Sequence, residues 1–135
     1  MPHITIEYSA NLDDELDVQQ LVDVVHQAAL DSGVFPVGGV RTRAEMREHY
    51  AVADSDPTNA FVAAQARIGA GRDADKKKTM AQAIFRAMCN ALEPIYKVRP
   101  LAISFDLSEI EEEFSFKQNN LHEIIANRRE AKESE

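Results

Sequence analysis

Hydrophobic and polar residues alternate at the start of the chain, with Ile4, Ile6 and Tyr8 on one side and His3, Thr5 and Glu7 on the other. That is the period-two signature of a half-buried strand. The period then changes. Val18, Leu21, Val22, Val25, Ala28 and Ala29 recur at helical spacing and define one apolar face. Asp17 with Gln20 three residues on resembles a capping box, so a helix is expected to begin there and to stop at Gly33. His26 falls just off the apolar face and reads as a surface or hydrogen-bonded histidine rather than a ligand. Residues 34–39 form an apolar, glycine-containing loop. The β-branched and aromatic content of residues 40–52 favours an extended, partly exposed strand, although 44–48 alone would also suit a helical turn.

The second half repeats the order. Residues 54–59, Asp-Ser-Asp-Pro-Thr-Asn, are a turn, and residues 60–68 read as a strand ended by Gly69-Ala70-Gly71. A second helix is expected from about Asp73 to Leu92, with Met80, Ile84, Met88, Ala91 and Leu92 inside, and Pro94 should stop it. Residues 101–107 form a last clear strand, followed by a solvated acidic run at Glu109 and Glu111 to Glu113. Phe116, Leu121, Ile124 and Ile125 offer an apolar segment able to pack on a neighbour, and the charged end from Arg128 to Glu135 is expected to fray.

Strand, helix, strand, taken twice, gives two consecutive β-α-β units. The expected class is α/β, in the two-layer α+β sense: a small mixed sheet with its two helices on one face. The other face is left uncovered. Because Ile4, Ile6, Phe61, Ile103 and Phe105 suggest that neither face is wholly polar, self-association is expected to bury it.

Composition narrows the function classes. At 135 residues the chain makes one domain, 1–135, with residues from about 123 to the end as a charged extension. No apolar run reaches the length of a membrane span and no signal-peptide pattern opens the chain, so a cytoplasmic location is expected. A net charge of -8 argues against nucleic acid and anionic membranes as partners, and it makes any local cation cluster informative. The single cysteine, Cys89, lies beside Met88 on the second helix and reads as packing. No metal box, P-loop or nucleophile elbow is present, and Gly69 with Gly71 gives only G-x-G, short of a dinucleotide fingerprint.

What remains is cationic, together with one unusual terminus. Arg41 and Arg43 follow the glycine loop, and Arg72 precedes the second helix behind Gly71. With exposed helix-start N–H groups and a guanidinium fork, Arg72 suits a carboxylate-binding corner. Lys76, Lys77 and Lys78 oppose the helix dipole there, and they read as a solvated run with long stems splayed into water. Pro2 directly follows Met1. An initiator methionine before so small a residue is usually trimmed, which would make the prolyl nitrogen a free secondary amine. A chain-terminal α-amine titrates near about 8 and falls with burial or nearby cations, so it could serve as a base at neutral pH. By position alone Pro2 equally suits the start of a strand, where its missing N–H costs nothing.

Four segments carry a resemblance: Met1-Pro2-His3 before the first strand; Gly33-Val34-Phe35-Pro36 with Gly39-Val40-Arg41-Thr42-Arg43; Arg67-Ile68-Gly69-Ala70-Gly71-Arg72; and Phe116-Lys117-Gln118-Asn119-Asn120. In this order and spacing, from Pro2 to about His122, the chain resembles the 5-carboxymethyl-2-hydroxymuconate Δ-isomerase family of the tautomerase superfamily. The resemblance implies a homotrimer, an amino-terminal proline as catalyst, no cofactor and no metal. It further implies a tricarboxylate dienol as substrate, in the breakdown of homoprotocatechuate. By the same resemblance Pro2, Arg41 and Arg72 are the catalytic candidates, with Arg43 and Phe116 as substrate-binding candidates and Phe116 supplied from an adjacent subunit. Two other readings stay open: a tautomerase acting on a smaller 2-hydroxydienoate or 2-oxo acid, and a non-catalytic trimeric binding protein.

Overall fold

In the computed structural model, which describes residues 1–134, the opening alternation becomes strand β1 (His3–Ser9), with Ile4, Ile6 and Tyr8 buried. Helix α1 (Val18–Asp31) starts where Asp17 accepts the Gln20 N–H at 3.1 Å, and it buries Leu21, Val25 and Ala29. Strands β2 (Arg41–Arg47) and β3 (Ala60–Gly69) follow, then helix α2 (Ala74–Tyr96), strand β4 (Leu101–Ile110) and helix α3 (Leu121–Glu133). The sheet order is β2-β1-β3-β4. Each helical crossover joins a parallel pair, β1 with β2 and β3 with β4, and the two units meet antiparallel at β1 and β3. The sheet is therefore mixed, as expected.

One face of the sheet meets α1 and α2. Ile4 and Ile6, Val62, Ala64, Ala66 and Ile68, and Met80, Ile84, Met88 and Leu92 form a single core, with Ile103, Phe105 and Leu107 packed at its edge. His26 sits between layers, its Nδ1 2.9 Å from Thr42 Oγ1. It is a hydrogen-bonded histidine, as its place beside the apolar stripe suggested. Among the described residues no helix is long and apolar enough to cross a membrane.

Four local expectations are corrected. Helix α2 runs past Pro94 to Tyr96. The proline costs the bond its N–H would have made to the Asn90 carbonyl and crowds that carbonyl with its ring, but Ile95, packed against the core, holds the last turn in place. Ala91, expected inside, is exposed. The charged tail does not fray through Glu133: it continues α3, where helix-favouring Ala, Glu, Lys and Arg and an i,i+4 placement of Arg129 and Glu133 sustain it. Glu135, the remainder of that expectation, lies outside the described residues.

The fourth correction concerns the open face. Ile4, Ile6, Ile103 and Phe105 all point to the helices, because β1, β3 and β4 share one parity across the register. Of the five residues cited for an apolar second face only Phe61 lies on it. The register groups His3, Arg41, Arg43 and Arg67 near one end of that face, and Glu7, Glu45 and Arg47 at the other. There Arg47 pairs with Glu7 at 3.3 Å and Glu45 at 2.9 Å. Any partner covering this face meets a charge pattern rather than an apolar sheet.

Candidate active site

Pro2 is buried, one residue ahead of β1, and its carbonyl accepts the Arg41 N–H at 3.1 Å. That bond extends the parallel β1–β2 ladder to the chain start. Beside it lies a cavity of about 390 Å³, within the size range of small-molecule sites. Its walls are the chain start (Met1, Pro2), the loop before β2 (Pro36, Gly39), Arg72 ahead of α2, and the segment entering α3 (Lys117, Asn119, His122). A larger recess of about 510 Å³ lies on the other side of Arg72, between the end of α1 and the start of α2, but it contains neither Pro2 nor Lys117. The smaller cavity is where the chain start and several cations converge.

Arg72 is held rigidly. Its Nη1 donates to the Gly69 carbonyl at 3.0 Å and its Nη2 to Val34 at 3.5 Å, while the guanidinium stacks 5.0 Å from the centre of the Phe35 ring. Gly71, at φ +107°, supplies the left-handed turn that brings Arg72 back over this corner. A guanidinium carries five donors, so most of the fork is left for a ligand.

The chain-terminal amine, here that of Met1 next to Pro2, is pushed below its ordinary value of 8.0 by burial first, then by Lys117, Arg72 and Arg41. All four causes disfavour the ammonium form. Arg41 stands beside the cavity without lining it: its Nη1 donates to the Gly39 carbonyl at 3.0 Å and lies 3.0 Å from the Met1 sulfur.

The other two candidates lie apart in the single chain. Arg43 is on the open sheet face, its Nη1 3.3 Å from His3 Nδ1. Burial first, then Arg43, Arg67 and Arg41, lower the His3 pKa from its ordinary 6.5. Phe116 is 91% exposed and faces solvent next to Lys117. The lysines in the first turn of α2 are dispersed: Lys76 borders the larger recess, Lys77 pairs with Glu109 of β4, and Lys78 is exposed. Asp73 caps α2 by accepting the Lys76 N–H at 2.8 Å. Cys89 is half-buried, and burial pushes its thiol up, in keeping with packing rather than nucleophilic chemistry.

Residue-by-residue reading missed Lys117, Asn119 and His122. Asn119 Nδ2 donates to the Gly38 carbonyl at 2.8 Å, and its Oδ1 accepts the Leu121 N–H at 2.8 Å, which starts α3. The His122 ring packs directly over Gly38, where a Cβ would come within 2.7 Å of Nδ1. Their segment was visible as one of the four sequence motifs. Nothing in it signalled that it folds back across eighty residues to the loop before β2.

Two β-α-β units joined into one mixed sheet, with a buried proline opening the first strand in a cation-lined cavity, define a member of the tautomerase superfamily, a class of isomerases. The family model for 5-carboxymethyl-2-hydroxymuconate isomerase matches residues 2–125, and the chain belongs to that family. It is 31% identical over 125 residues to the 5-carboxymethyl-2-hydroxymuconate Delta-isomerase of Escherichia coli, covering 93% of this chain and 99% of the relative. The crystal structure of a 5-carboxymethyl-2-hydroxymuconate isomerase from Deinococcus radiodurans R1 matches with a TM-score of 0.86 and 36% identity over 92% of this chain and 93% of the other. At 17% identity, a TM-score of 0.60, and coverage of 87% of this chain and 81% of the other, a member of the cis-3-chloroacrylic acid dehalogenase family shares the fold alone.

Proposed function

We propose that the protein, once Met1 has been removed, isomerises 5-carboxymethyl-2-hydroxymuconate with the secondary amine of Pro2 acting first as base and then as acid. The observation that carries this reading is the burial of Pro2 in a cavity lined by Arg72 and Lys117, where burial and cations depress the neighbouring Met1 amine and would act with the same sign on the Pro2 amine of the trimmed chain. The name of the Escherichia coli relative supports the substrate. The work of the reaction is proton transfer. The neutral amine takes the proton of the 2-hydroxyl, the oxygen lone pair forms the 2-oxo group, and the two double bonds shift to leave one between C3 and C4. The prolinium then returns the proton to C5. No leaving group departs, and one residue serves both steps if the substrate is held in one pose.

Arg72 grips a carboxylate and stabilises charge growing on the 2-oxo oxygen, and Arg41 does the same from the mouth of the cavity. Arg43 and Phe116 act on the substrate only in an assembly, as a second cation and an apolar wall supplied across a subunit boundary. The protein works as a cytoplasmic homotrimer in homoprotocatechuate breakdown.

The test pairs intact-mass measurement with an ultraviolet assay of the dienol. Protein beginning at Pro2 should convert the substrate, and protein retaining Met1 should not, because an acylated prolyl nitrogen has no basic lone pair. Arg72→Ala should lower kcat/KM about 100-fold or more. Correctly trimmed protein that leaves the tricarboxylate unchanged refutes the proposal.

A further inference from the structure

The cavity holding Pro2 continues past its own wall. Met1 and Lys117 also line a second cavity, of about 240 Å³, among Gly69, Ile110, Glu112 and Ser115. They are the two residues common to both cavities, so trimming Met1 leaves Lys117 as the partition. On the reading that the first cavity takes a dienol polycarboxylate, we infer that Lys117 pairs with the carboxylate on the substrate's side arm, which enters the second cavity, and so sets the preference for a tricarboxylate over a dicarboxylate.

Four features support this assignment. Lys117 has no salt-bridge partner among the described residues, whereas Lys77 is paired with Glu109. An ammonium on a flexible stem with three donors suits a single carboxylate on a short arm better than the planar pairing that Arg72 offers. Glu112 also lines the second cavity, and its charge disfavours an anion anywhere there but at Lys117. The segment is also held in place, because Asn119 ties it to the Gly38 carbonyl at 2.8 Å.

Lys117 has a second effect. Its charge depresses the Met1 amine and would act with the same sign on the Pro2 amine once Met1 is gone. Losing that charge changes the base equally for every substrate, so the ratio of two substrates isolates the carboxylate contact.

The experiment measures kcat/KM for 5-carboxymethyl-2-hydroxymuconate and for 2-hydroxymuconate, which lacks the side arm, with trimmed wild type, Lys117→Ala and Lys117→Arg. In the alanine variant the preference for the tricarboxylate should fall about 10- to 100-fold, the range of a charge-assisted contact with a carboxylate. Most of that change should lie in KM, and arginine should restore most of the preference. Equal losses on both substrates, or an unchanged ratio, overturn the inference. A calorimetric titration with tricarballylate and glutarate gives the same comparison without turnover. If wild type is inactive yet prefers tricarballylate, and Lys117→Ala loses that preference, the catalytic reading fails and Lys117 stands as the discriminator. Equal binding of the two acids overturns Lys117's role.

Discussion

Gly38→Ala is the substitution whose outcome the geometry constrains most tightly. Gly38 is buried in the 3₁₀ turn Val37–Gly39 and does not have a positive φ, so alanine is conformationally acceptable there and the cost is purely steric. The added methyl would lie 2.7 Å from His122 Nδ1, 3.1 Å from its Cε1 and 3.0 Å from its backbone nitrogen. Rotating the ring relieves the first two contacts but not the third. Either the turn absorbs the overpacking, at about 1–3 kcal/mol, or the start of α3 moves away. Moving α3 forfeits little: the helix buries no residue, and its hydrogen-bonded tie to the turn is Asn119 to the Gly38 carbonyl, worth about 0.5–1.5 kcal/mol.

The second route is therefore cheaper. Stability measured by urea denaturation should fall by no more than about 1.5 kcal/mol. The cavity wall made of Lys117, Asn119 and His122 should shift with the helix, and kcat/KM should drop about tenfold or more. Gly38→Ala combined with His122→Ala removes the ring contacts and should recover part of the loss. Wild-type kcat/KM in Gly38→Ala, or a stability loss above about 3 kcal/mol, would refute the reasoning, since either result means that α3 did not yield.

Further outcomes follow from the same structure. The burial and cations that lower the Met1 amine would act on the Pro2 amine of the trimmed protein in the same direction, so the acid limb of kcat/KM should lie below that amine's ordinary value, with activity rising with pH through it; Lys117→Ala should move that limb upward. In protein that retains Met1, the Met1 amine and His3 both have folded pKa values below their unfolded ones, so the unfolded chain binds more protons between each lowered value and its ordinary 8.0 or 6.5. Stability should rise with pH across those windows, as urea midpoints against pH will check. Ile84, fully buried on the inner face of α2, should cost about 2–5 kcal/mol on Ile84→Ala while the assay at low temperature stays near wild type. Ala53 stands in the left-handed region at φ 54°, which costs alanine about 1–2 kcal/mol. Ala53→Gly should therefore be neutral or stabilising by up to about 1 kcal/mol in the same urea assay, glycine's extra chain entropy taking back part of the gain.

The sheet and its two crossovers were legible in the chain because each depends on local periodicity. Ile4 to Tyr8 alternate, Leu21 to Ala29 and Met80 to Leu92 follow the helical turn, and Asp17 and Asp73 stop the backbone N–H groups from going unpaired. A helix between two strands supplies the crossover that a parallel pair needs, and both such pairs are parallel here. Pro94 misled because a proline's cost depends on where in the helix it falls, and near the end it deletes one bond that Ile95's packing outweighs. The open face misled because an apolar residue's type does not reveal its side; only the register of β3 against β1 and β4 turned Ile103 and Phe105 inward.

The candidate site divides along the same line. By itself the sequence determined the proline at the chain start, the acidic balance that makes cations stand out, and the glycines that let Arg72 turn back. Only tertiary structure decided that Pro2, Arg72 and Lys117 line one cavity, that Arg41 stands at its edge, and that Arg43 and Phe116 face away from it in the single chain. The physical reason is range. Strand and helix periods are set by neighbours a few residues apart, whereas this cavity is closed by a hydrogen bond from Asn119 to Gly38 and by a histidine that fits only over a residue with no side chain.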